Sequence, residues 1–212
     1  MSDPLQDRIA RGQGIAARKL GLETDAYRPS TPDAPLSLRN RYILLPVVFH
    51  IGKAFDTPAA YGNPLWQAML DSAYTKPGDY LVQRDEIWFI ASQPRLLPVL
   101  CVKTNRVVSF TRAAAANHMG VGTYTGMQRA TQHKILTNWP ASVLATGAAR
   151  MASTHLPADL PATTWTVLLP ALPTTMLHAG DRMSDDLNRA GIITTADLTD
   201  FGWRLIIREA AS

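Results

Sequence analysis

Two carboxylates carry the strongest hint of chemistry in this sequence. Asp79 and Asp181 each follow a glycine, in Gly78-Asp79-Tyr80-Leu81-Val82 and in Gly180-Asp181-Arg182-Met183, about a hundred residues apart. A hydrolase could use Asp79 or Asp181 with one of the histidines, because a positioned carboxylate can move protons as general acid or base. A carboxylate directly after a turn glycine also has a plainer use, accepting backbone N–H groups and capping the turn. Turn capping is the expectation here, since nothing else of catalytic character recurs beside both copies.

The remaining chemistry-bearing residues are scattered. His50, His118, His133, His155 and His178 occur singly, without the spacing that gathers metal ligands on one face. Cys101 is the only cysteine and lies in Val99-Leu100-Cys101-Val102, so a buried, inert thiol is expected, with no disulfide and no cysteine-rich zinc site. Gly12-Gln13-Gly14-Ile15-Ala16-Ala17 matches a dinucleotide fingerprint in letters but has no strand ahead of it. Neither a phosphate-binding G-x-x-x-x-G-K-[ST] loop nor a G-x-S-x-G nucleophile elbow occurs. The expectation is therefore no catalytic residue, no cofactor and no metal. Tyr80, Trp88, Arg95 and Lys103 offer a different use, a single-stranded nucleic-acid platform on a barrel. Trp88 and Phe89 fall on opposite faces of one strand, so core packing is the preferred reading of these aromatics, and of Trp139, Trp165 and Trp203.

These residues must be positioned by short strands and turns. Charged residues make up 18 % of the 212, and 15 prolines punctuate the chain, a mix that disfavours long solvent-facing helices. The net charge of +4 permits contact with a polyanion without demanding it. No basic stretch followed by an apolar core opens the chain, so no signal peptide is expected. The apolar run from Tyr42 to Ile51 is too short to span a bilayer, and a membrane partner is not expected.

The two Gly-Asp segments begin parallel meanders of sequence. Gly78–Val82, Trp88–Ala91 and Leu100–Val102 are echoed by Gly180–Met183, Ile192–Thr194 and Trp203–Ile207. Each reads as a turn followed by three strands, with hairpin tips at Asp85-Glu86 and Asp185-Asp186-Leu187-Asn188. The predicted fold class is mainly β: two tandem small β-barrel or meander modules, an N-terminal helix and a long connecting loop. The predicted division is a helix and extended arm at 1–35, a first β module at 36–112, a Gly/Ala-rich connector or arm at 113–131 and a second β module at 132–212. Pro4 and Gly21 suit the two ends of the helix, with Leu5, Ile9, Ala16 and Leu20 as its apolar stripe. Pro29, Pro32 and Pro35 force an extended connector, and Pro64–Leu70 is predicted as a short helix capped by Asn63.

The run Asp7-Arg8 … Arg11-Gly12 … Ala16-Ala17 … Gly21 … Tyr27-Arg28-Pro29, then Tyr61-Gly62-Asn63-Pro64, then Pro77-Gly78-Asp79-Tyr80-Leu81-Val82 … Trp88-Phe89-Ile90-Ala91, resembles structural proteins of tailed bacteriophages. The Gly-Asp, strand, hairpin module is similar to the small barrels of head-completion (stopper) and neck proteins. That resemblance implies a virion protein of the head–tail connector, neck or tail, assembled in the host cytoplasm as a homo-oligomeric ring. It implies docking onto adjacent phage proteins, with possible transient contact with packaged DNA. Typical stoppers hold one barrel, whereas this sequence repeats the module. The candidate interface is drawn from the two segments expected to reach neighbours: Leu5, Ile9, Arg8 and Arg11 in the helix, and Met119, Tyr124 and Met127 in the connector.

Overall fold

A computed structural model describes residues 4–51, 62–113, 132–146 and 163–210. Among these residues one α-helix, α1 (Pro4–Leu20), precedes twelve strands, with a short 3-10 helix at Leu38–Asn40 between the first two. The first six are β1 (Leu22–Tyr27), β2 (Arg41–His50), β3 (Leu65–Met69), β4 (Tyr80–Gln83), β5 (Glu86–Ser92) and β6 (Val99–Lys103). The second six are β7 (Arg106–Ala113), β8 (Gln132–Thr146), β9 (Thr164–Leu169), β10 (Arg182–Asp185), β11 (Ala190–Thr199) and β12 (Gly202–Glu209). Each set closes into an antiparallel barrel, in the order β1-β2-β3-β6-β5-β4 and β7-β8-β9-β12-β11-β10. The two orders are identical when six is added to every strand number. Closure removes the open edges through which strands of other chains could add.

The repeat is therefore real and deeper than its sequence echo. Gly78 and Gly180 adopt φ values of +93° and +94°, a region that glycine enters without steric penalty. Gly78 N–H donates to the Ile90 carbonyl at 2.8 Å, and Gly180 N–H donates to that of Ile193 at 2.8 Å. Farther on, Lys103 N–H donates to Pro64 and Glu209 N–H to Thr163. Pro46 in β2 and Pro140 in β8 face Glu23 and Val107 at matching places in the register. A bulge falls between Ile90 and Ser92 in β5, and another between Ile193 and Thr195 in β11. Bulges bend and twist a strand, which lets six strands close around a small core.

Alternation sorts the side chains. Ala26, Leu81, Trp88, Ile90, Val99 and Cys101 fill the first barrel, where the Trp88 ring stacks on Phe49 at 3.8 Å. The intervening residues Tyr27, Tyr80, Phe89 and Val102 point outward, yet they too are buried, because they join the core of the second barrel. Only Thr104 and Asn105 separate β6 from β7, and Asn105 pairs with β8 through its own amide. Its Oδ1 accepts from Val143 N–H at 2.8 Å and its Nδ2 donates to the Val143 carbonyl at 2.9 Å. Tyr80 Oη donates to the Pro140 carbonyl at 2.7 Å, with its ring edge-on to Trp139. On the same side, the prolyl connector straps across β8. Thr137 N–H and Trp139 Nε1 both donate to Pro32, while Ala34 N–H donates to Thr137.

Four sequence expectations shift. Leu22–Tyr27, placed in the N-terminal arm, is a strand of the first barrel, and Arg106–Ala113, placed mostly in the first module, opens the second barrel. Leu65–Met69 is a strand and not a helix. Asn63 Oδ1 does accept Leu65 N–H at 3.1 Å, but the turn it forms leads into pairing with β2 and β6. The helix is present, but its contact face differs from the stripe expected. Ala10, Gly14 and Ala17 are its buried residues, while Leu5 and Leu20 are 52 % and 72 % exposed. Small side chains spaced four and three apart let α1 lie close on β2 and β3. Gly14 sits against Asp71, where an added Cβ would come within 3.0 Å of the Asp71 Cβ.

Candidate interaction surfaces

The repeated Gly-Asp carboxylates are built into matching clasps. Asp79 is fully buried and receives Arg28 in a bidentate pair, Nε to Oδ1 at 2.8 Å and Nη2 to Oδ2 at 2.7 Å. Lys76 N–H also donates to Oδ2, at 2.9 Å. Asp181 is 2 % exposed and receives Arg112 in the same manner, at 2.7 and 2.8 Å, with His178 N–H at 2.8 Å. Each arginine also donates to a carbonyl of the approaching loop, Tyr74 for Arg28 and Met176 for Arg112. The fork geometry of guanidinium fits a carboxylate on two parallel bonds, so each clasp pins a strand end to the turn before β4 or β10. The side-chain hydrogen bond to the aspartate is the main reason that the pKa of each arginine is raised.

One difference separates the clasps. In the first, Tyr42 Oη donates to Asp79 Oδ2 at 2.7 Å, and the Arg28 guanidinium lies 4.4 Å from the Tyr42 ring centroid. Burial is the main cause raising the Tyr42 phenol well above its ordinary value, with the Asp79 hydrogen bond adding to it. These contacts bear out the turn-capping reading of Asp79 and Asp181. The hydrolase reading needs a carboxylate open to substrate, and both are enclosed. The arginines were not found from sequence, because Arg28 and Arg112 lie 51 and 69 residues from their partners.

The aromatic platform fails on burial. Tyr80 is 0 % and Trp88 1 % exposed, so neither can stack on a base, although Arg95 is exposed. Lys103 pairs with Glu86 and lies over the rings of Trp66 and Trp88, at 5.5 and 5.6 Å from their centroids. Cys101 is buried as expected, and burial raises its thiol pKa. Among the described residues, no group of three His, Cys, Asp or Glu side chains could hold a metal ion. No described helix is long and apolar enough to cross a membrane.

The candidate interface residues are divided by the structure. Arg8 and Arg11 are exposed on α1, Leu5 projects beside them, and Ile9 is half-buried. Met119, Tyr124 and Met127 lie outside the described residues. Beside α1 runs a groove of about 410 Å³, lined by Arg11, Gly14, Ile15, Arg18, Asp71 and Tyr74. Along it and the adjoining pocket, Ile15, Leu44 and Tyr74 are between 47 % and 55 % exposed. Compared with protein-family models, with curated proteins and with solved structures, the chain matches none.

Proposed function

We propose that this chain is a structural assembly subunit that works by docking and self-association rather than by chemistry. The observation that carries this reading is the use made of its repeated polar residues. Both carboxylates that could have done chemistry are enclosed in clasps that hold turns, whereas large apolar side chains stand exposed around the α1 groove. Exposed apolar surface of this kind marks contact with another macromolecule. The two barrels are joined through a shared core and a two-residue linker, which supplies a stiff body for symmetric packing.

The resemblance of the Gly-Asp module to connector barrels supports the specific placement: the head–tail connector, neck or tail of a tailed bacteriophage. There the protein would form a homo-oligomeric ring and dock onto adjacent virion proteins. Light scattering on the purified protein across a concentration series, with and without a phage portal complex, tests this. A ring, or assembly triggered by the complex, supports it.

A further inference from the structure

We propose that the outer face of the second barrel is a binding surface for the phosphate backbone of duplex DNA, centred on Arg182, Ile192 and Arg208. The inference comes from comparing one row of residues in the two barrels. Cross-strand register in the second barrel links Lys134, Thr111, Arg182, Ile192, Arg208 and Thr164, each opposite the next. The corresponding row in the first barrel is Arg41, Tyr27, Tyr80, Phe89, Val102 and Leu65.

In the first barrel the middle of this row is aromatic and aliphatic, and it is the face that docks on the second barrel. In the second barrel Arg182, Ile192 and Arg208 on the same face are exposed, no described element packs over them, and its character has changed. Tyr80 is replaced by Arg182, Val102 by Arg208, Tyr27 by Thr111 and Leu65 by Thr164. Lys134, Arg182 and Arg208 are all exposed, and among the described residues none of the three forms an ion pair. The nearby acidic groups are engaged elsewhere: Asp181 by Arg112 and Asp185 by Arg189. Glu209, the neighbour of Arg208, is half-buried and lies opposite Gly191.

The chemistry of the row selects the partner. Three cations with two hydroxyls and no exposed aromatic ring suit phosphate oxygens, and not bases, which need stacking surfaces. Arg182 and Arg208 are two strands apart, about 10 Å between their strands, with long side chains that can converge on neighbouring phosphates. Stacking onto the α1 end of a second copy is disfavoured, because Arg8, Arg11, Arg18 and Lys19 are exposed there and repel a basic face. The surface belongs to one barrel, so it does not depend on ring formation.

The test is fluorescence anisotropy of the full chain with labelled duplex DNA between 50 and 200 mM salt. Three phosphate contacts give a slope of about −2.7 in log affinity against log salt, a loss of roughly 40-fold over that range. Arg182→Gln with Arg208→Gln is expected to reduce the slope by about 2. Arg204→Gln is expected to leave it unchanged, because Arg204 is exposed off this row, opposite Asp197. Lys134→Gln, at the end of the row, gives an independent loss of about 1 if the double variant folds poorly. No binding at 50 mM salt, a slope indifferent to these arginines, or equal and equally sensitive binding to polyglutamate would each overturn the proposal.

Discussion

The two clasps allow a stability prediction with an internal control. Arg112→Met leaves the Asp181 carboxylate, 2 % exposed, with His178 N–H as its only remaining donor among those described. Stranding one member of a buried pair costs roughly 3–5 kcal/mol. Arg112 keeps 39 % exposure, so solvent already screens the pair, and the lower end, about 3 kcal/mol, is expected. Asp181→Ala is milder, about 1–2 kcal/mol: the freed guanidinium reaches water, and the main loss is an acceptor for His178 N–H. Arg28→Met is also milder than Arg112→Met, because Tyr42 Oη and Lys76 N–H still donate to Asp79. A hydrogen bond to a charged group contributes about 1.5–3 kcal/mol, which sets the expected gap between the two arginine variants. Urea unfolding followed by tryptophan fluorescence reads the first barrel through Trp66 and Trp88 and the second through Trp139, Trp165 and Trp203. If Asp181→Ala costs more than Arg112→Met, or the two arginine variants cost the same, the argument is wrong.

Tyr80→Phe removes the donor to the Pro140 carbonyl between the barrels and should cost about 1–2 kcal/mol, seen as a lowered urea midpoint. Gly191→Ala places a Cβ 2.5 Å from Ile207 Cγ2 and 2.8 Å from the Arg208 carbonyl, so a loss of about 1–3 kcal/mol is expected in thermal unfolding. A neutral result there would mean that β11 and β12 can separate without cost. Burial opposes ionisation of Asp185, but Arg189 and two backbone N–H groups outweigh it and lower its pKa. Its contribution is therefore present above the unfolded value of about 3.9 and is lost as pH falls through the lower folded value. Asp185→Asn should flatten stability across that acid window.

Much of the fold was legible because turns and large apolar residues announce it. Gly78 and Gly180 mark two turns that a side chain would strain, and the strands after them alternate around Trp88, Ile90, Ile193 and Ile207. The first strand of the first barrel was harder. In β1 the inward residues are Thr24 and Ala26, both 0 % exposed, so packing is tight but the sequence lacks an apolar signal. Leu65-Trp66-Gln67-Ala68-Met69 is composed largely of helix formers, and pairing on both sides overrides that preference. The α1 stripe was misread for a related reason: close approach selects Ala and Gly, whereas hydropathy points to Leu. The clasps were half visible, as carboxylates at turns without their arginines. The basic row was invisible until register placed Lys134, Arg182 and Arg208 side by side.

The central claim is that this chain is a subunit of a larger assembly. Its solution mass across a concentration series, measured alone and with a phage portal complex, tests that most directly. The account predicts either a closed oligomer whose mass is a whole multiple of the 23.2 kDa chain or a monomer that assembles on the complex. A monomer at every concentration, indifferent to each virion component offered, would contradict it.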